Sequence, residues 1–206
     1  MNIGVDAAAL GMSNAVTAFT GDVNSGYWNP AGLLKIEDSQ ASLMHASYFA
    51  NIAQYDYAAY AKKIDDRSAW GISLIRFGVD DILNTTQLID NEGNIDYNRI
   101  SLFSTADYGL TFSYARRPTL IAGLQYGVNA KIIRRVIGEF ASSWGFGFDF
   151  GLQYESDDWH YGVMLHDITT TYNIWAIDED KYNEIKDAVT GQNQEPPEST
   201  EITFPK

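Results

Sequence analysis

The chain has 206 residues, no cysteine and a formal net charge of −13, from 27 acidic against 14 basic side chains. The surplus of carboxylates excludes nucleic acid as a partner, because phosphate contacts need clustered Lys and Arg; the lack of thiols excludes disulfides and thiolate metal sites. Aromatics make up 14% of the chain beside 17 glycines, a pairing common in membrane β-barrels, whose rings form interfacial girdles.

The opening Met1-Asn2-Ile3-Gly4 has neither a basic nor an apolar leader region, so no signal peptide is expected within this chain. No apolar run is long enough for a transmembrane helix. Residues 5–33 are small, mostly uncharged and without two-residue periodicity. They end in Tyr27-Trp28-Asn29-Pro30-Ala31-Gly32, where Asn29 can cap a short helical turn and Pro30 can take its first position, which needs no amide donor.

Alternation then recurs in seven segments, at about 39–49, 52–63, 68–77, 107–114, 120–132, 144–154 and 159–165. It is clearest in the sixth. There Trp144, Phe146, Phe148, Phe150, Leu152 and Tyr154 share one face, against Gly145, Gly147, Asp149, Gly151 and Gln153 on the other. Glycine weakens a strand in water, whereas in a bilayer the ladder has no water to exchange with. The large residues are therefore expected to face lipid: Tyr108, Leu110, Phe112 and Tyr114, the rings of the sixth segment, and Trp159 and Tyr161. Gln125, Lys131 and Asp149 are expected to face a lumen, with Asp149 paired across it to Lys131 or Arg76.

The links at 62–67, 116–119 and 155–158 read as short and polar, and those at 78–105, 134–142 and after 168 as long. Short and long alternate as in an outer-membrane barrel, with the long loops outside. The expected fold class is all-β: an antiparallel transmembrane β-barrel, partial, with about seven strands present. Seven is odd, and single-chain bacterial barrels are even, so further strands are expected beyond these; Ser199–Lys206 reads as the start of one. The divisions are an N-terminal segment at 1–38, transmembrane strands at 39–168, and an acidic exterior loop leading to a further strand at 169–206.

Residues 90–96 have the acidic spacing of a loose Ca²⁺ loop but lack its bidentate Glu, and read as a solvated exterior turn. His45, His160 and His166 are too scattered to suggest a metal site. No catalytic triad, nucleophile elbow, P-loop or dinucleotide fingerprint occurs, so no enzyme, catalytic residue, metal or cofactor is expected.

The stretch from Gly4 to Leu33, with Ala8, Leu10, Gly11, Ala15 and Asp22 ahead of Tyr27–Leu33, resembles the N-terminus of the PorV/PorQ family, within the FadL-like outer-membrane barrels. The resemblance implies a larger barrel, of which this chain has the look of the first half, located in the cell outer membrane. It implies that the N-terminal segment sits inside the barrel as a plug, with Tyr27 and Trp28 wedged against an inner wall where glycines make room. It also implies a part in the type IX protein secretion system of Bacteroidota: contact with outer-membrane lipid, docking on the large translocon protein, and receipt of the C-terminal signal domains of secreted proteins by the exterior loops. The alternative is a FadL-like channel for hydrophobic small molecules, which requires an apolar path beside the plug. The inner face read from the sequence is instead largely Gly, Ser, Thr, Asn and Gln. A soluble β-sandwich is the third possibility.

Overall fold

The computed structural model describes residues 3–85, 88, 95–169, 172–178 and 202–203. Two short helices, α1 (Ala7–Gly11) and α2 (Ser25–Trp28), and a 3₁₀ turn (Pro30–Lys35) precede a single antiparallel sheet. Its strands are β1 (Ser39–Tyr48), β2 (Ala53–Asp65), β3 (Ser68–Asn84), β4 (Ser101–Arg116), β5 (Leu124–Ile137), β6 (Ala141–Ser156), β7 (Trp159–Leu165), β8 (Tyr172–Ile177) and β9 (Ile202–Thr203). A second 3₁₀ turn, Tyr97–Arg99, lies between β3 and β4. Neighbours run β1-β2-β3-β4-β5-β6-β8-β9, with β7 also pairing β6. The sheet is curled like one half of a barrel wall.

β7 and β8 lie along the same edge of β6. Phe150 pairs with Leu165 and Phe146 with Tyr172. The register shifts by three residues between these two pairings. The two stretches act as one wall strand with a bulge in its middle. This corrects the expected start of the exterior loop at residue 169, since residues 172–177 are strand. Six residues in which only Asn173 is polar show no two-residue alternation in sequence; pairing with β6 makes them strand. The Ser199–Lys206 expectation meets a short strand at Ile202–Thr203, paired with β8.

The links differ from expectation in the same way. The link expected to be long at 134–142 is only Gly138–Phe140, and the one expected at 116–119 spans 117–123. The strict alternation of short and long links therefore does not hold. Arg134 and Arg135 suggest a strand end, yet both stay in the ladder. Arg135 forms a two-pronged pair with Asp107 at 2.6 and 2.7 Å, and the Arg134 guanidinium lies 4.7 Å from the Trp144 ring centroid. A charged residue does not end a strand when a neighbouring strand supplies its partner. Most of the 90–96 stretch and most of 169–206 lie outside the described residues.

Burial runs opposite to that of a protein whose sheet encloses an apolar core on its own. Along β6 the small and polar Ser143, Gly145, Gly147, Asp149, Gly151 and Gln153 are buried, while Phe148 between them is 52% exposed. Tyr108, Phe112, Tyr114, Trp144, Phe146, Trp159 and Tyr161 are also exposed; Leu110 and Phe150 are half-buried on the same outer face. What covers the inner face is the N-terminal segment.

Candidate functional site

The site is built where residues 3–36 lie on the inner wall. The Pro30–Lys35 turn packs against β2 through β6. Asn29 caps it, its Oδ1 accepting from the Ala31 amide at 3.2 Å, with Pro30 at the first position. The other end of the same side chain reaches into the wall: Nδ2 donates to the carbonyls of Thr17 and Leu152, each at 2.9 Å, and of Val163 at 3.4 Å. One buried amide thus joins two parts of the segment to β6 and β7.

Two glycines make this approach possible. A Cβ at Gly127 would lie 2.5 Å from the Pro30 carbonyl carbon and 2.6 Å from the Ala31 nitrogen, and one at Gly151 would collide with the Asn29 side-chain oxygen and lie 2.9 Å from Pro30 Cδ. The space left by these glycines takes Asn29 and Pro30, not the Tyr27 and Trp28 rings expected there. Those rings hold the start of the chain instead. Tyr27 Oη donates to the Ile3 carbonyl at 2.7 Å, and Trp28 Nε1 to the Val5 carbonyl at 3.1 Å. Burial raises the Tyr27 phenol above its ordinary range, which keeps it a neutral donor. Tyr55 Oη on β2 meets the same Ile3 carbonyl at 2.9 Å.

The inner faces of the two halves of the sheet differ. On β2–β4, Tyr55, Tyr57, Ala59, Ala61, Ala69, Ile75 and Ala115 form a core with Val5, Val23, Leu33, Leu34 and Ile36. The sequence reading of a mainly polar inner face missed this, because tyrosines and alanines on an alternating strand look the same facing either way. On β5 and β6 the inner face is small or polar, and its buried amides are aimed at backbone carbonyls. Gln153 Nε2 donates to Thr17 and Thr20 at 3.1 Å, and Asn129 Nδ2 to Gly26 at 2.9 Å. Oriented to satisfy both its ends, the Gln125 amide donates to Ala31 and accepts from Arg117, each at 3.2 Å. Gln125 is therefore covered by the segment, not open to a lumen. These partners leave no trace in the sequence, since a carbonyl carries no side-chain identity.

Beyond this seat lies a charged cluster. Lys131 Nζ sits 2.7 Å from both Asp149 Oδ1 and Asp167 Oδ1. Asp149, 4% exposed, also accepts from the Asp167 amide at 2.9 Å and from Asn129 Nδ2 at 3.3 Å, with His166 Nδ1 at 3.8 Å. The cluster fastens the bulge between β7 and β8, where the Ile168 amide donates to the Phe148 carbonyl at 2.9 Å. Arg76 is not part of it. That side chain is on the outer face, bonded to Asp80 and near Asp56. His45 and His160 lie elsewhere, beside Asp56 and Glu155.

Outward rings, inward glycines and an antiparallel curled sheet define a transmembrane β-barrel fold. A model of the type IX secretion system protein PorV family matches residues 1–200, and the chain belongs to that family. It is a type IX secretion system protein, and that family together with the barrel fold fits the outer membrane. No curated protein matches the chain.

Proposed function

We propose that this chain is an outer-membrane barrel component that docks on the large translocon protein of the type IX system and receives the C-terminal signal domains of secreted proteins through its exterior loops. The observation that carries the membrane part is the reversed burial of β6, with exposed Trp144, Phe146 and Phe148 against buried glycines and Asp149. Outward rings of this kind meet hydrocarbon and the interfacial belt. Residues 3–36 act as the plug, held by the Asn29, Gln125, Asn129 and Gln153 amides. The family membership supports the secretory role. Exterior loops supply variable binding chemistry on a rigid wall, and the β3–β4 link presents Ile95 and Tyr97 well exposed. The uptake-channel alternative gains nothing from the inner wall, where the amides seal segment to sheet.

The test replaces residues 85–100 with a short Gly/Ser turn in cells whose own copy is deleted. Cargo is expected to accumulate in the periplasm while the barrel remains in the outer membrane at its normal amount. Unchanged export would reject the cargo-receiving role of this loop.

A further inference from the structure

At the end of the sheet that holds the β2–β3 and β6–β7 turns, the outward rings form a row across the wall. The Tyr60 and Trp70 ring centroids lie 5.8 Å apart, Trp70 pairs with Tyr114, and Tyr154 stacks on Tyr161 at 6.2 Å. Tyrosine and tryptophan gather where hydrocarbon gives way to headgroups, so this row marks the edge of the apolar band.

Two cations stand in that row. Lys62 is the cross-strand partner of Trp70, and Arg116 follows Tyr114 by two residues on the same outer face; both are exposed. Other cations of the sheet have answers within the chain. Lys131 pairs with Asp149, Arg135 with Asp107, Arg76 with Asp80 and Lys63 with Asp66, and Arg134 lies over the Trp144 ring. Lys62 and Arg116 make no ion pair among the described residues. Asp65, close to Arg116, instead accepts from the Arg67 amide at 2.7 Å.

Lys62 and Arg116 are two strands apart, about 10 Å across the sheet and about 7 Å along it, with Trp70 and Ser68 of β3 between them. Two long side chains can close that gap around one small anion. The same row on β5–β7 offers Leu124, Tyr126, Ser156 and Trp159, none of them charged. A net charge of −13 makes free outward cations in one sector unexpected. At this level of a membrane the available counterion is lipid phosphate, which suits the Arg fork and the Lys point charge.

We propose that Lys62 and Arg116 hold the headgroup of an acidic glycerophospholipid, whose chains lie along Trp70, Ile72 and Phe112 of the outer wall. The proposal rests on the outer-membrane reading. Each basic side chain near a membrane surface favours acidic lipid about fivefold, so the pair gives a preference of roughly thirtyfold.

The chain has no cysteine, so Ile64→Cys and Trp159→Cys each carry one fluorophore on the full-length protein; both positions are exposed, the first beside Lys62 and the second in the uncharged sector. The protein is held in phosphatidylcholine vesicles and titrated with phosphatidylglycerol or phosphatidylcholine bearing the same doxyl quencher near the top of one chain. At position 64, half-quenching by the glycerol lipid is expected at roughly a thirtieth of the fraction needed with the choline lipid. At position 159 the two lipids are expected to quench alike. K62Q/R116Q is expected to bring position 64 to the behaviour of 159 while quenching by the choline lipid persists, and K62Q and R116Q singly to go part of the way. Equal quenching by the two lipids at 64, the same preference at 159, or a preference that survives these changes overturns the lipid site. No quenching at either position by either lipid overturns the outer-membrane reading itself, and the proposal with it.

Discussion

Truncating Asn29 to Ala removes more than its small side chain suggests. The change deletes the cap on the Ala31 amide and two amide donations of 2.9 Å, to Thr17 and Leu152. Loss of an N-terminal cap costs about 1 kcal/mol. Each donation removed from a buried carbonyl costs about 1–3 kcal/mol, at the low end where the carbonyl keeps another donor. Thr17 does keep one, from Gln153 at 3.1 Å. The sum is about 3 kcal/mol, equivalent to roughly a hundredfold change in an opening equilibrium. Hydrogen exchange of the protein in detergent micelles reads this directly, as a loss of that size in the protection of the Asn29, Gly32 and Thr20 amides. Asn29→Asp keeps the cap acceptor but turns oxygens toward three carbonyls, and is expected to lose at least as much. Protection unchanged by Asn29→Ala, or better retained in Asn29→Asp, would refute the reasoning that this amide fastens the segment.

Gly127→Val is expected to free the Pro30 turn from the wall, because the clash is with backbone at 2.5–2.6 Å and neither side can give way; proteolysis within residues 12–24 of the folded variant checks it, and uncut protein would contradict it. Phe148→Arg is expected to cost about 2–4 kcal/mol in bilayer folding equilibria, while Phe148→Leu costs less than about 1.5 kcal/mol; equal effects would place residue 148 away from hydrocarbon. Lys131→Met leaves Asp149 buried without its cation and is expected to cost about 2–4 kcal/mol, somewhat below a fully buried pair because the lysine is partly exposed. Adding Asp149→Leu to it should recover part of that loss in urea titrations, and no recovery would show that the pair is not what holds the bulge.

Much of the wall was legible because its rule is local. Two-residue alternation of rings with glycines in 144–154 fixes both the strand and which face is large, and the sheet carries those faces as read. The strand ends were harder. Arg134 and Arg135 look like loop until Asp107 and Trp144 are brought beside them. The β7–β8 continuation is too short to stand out from the turn ahead of it. For the site, the Asn29-Pro30 cap was visible as a pattern, but the seat for Asn29 at Gly151 and for Pro30 at Gly127 was not, since nothing in a glycine names its visitor.

What the sequence determined alone was the kind of surface: strands with rings on one side and small or polar groups on the other, and a non-strand segment ahead of them. Those are properties of neighbours in the chain, set by the alternating geometry of an extended backbone. The tertiary structure decided which groups answer one another across long separations. It joined Asn29 to Leu152 and Gln153 to Thr17, and put Lys131 between Asp149 and Asp167. It also turned Arg76 outward, toward Asp56 and Asp80. Such pairings depend on strand register and on how the segment lies over the curled sheet, and backbone carbonyls, the commonest partners here, look alike at every residue of the chain.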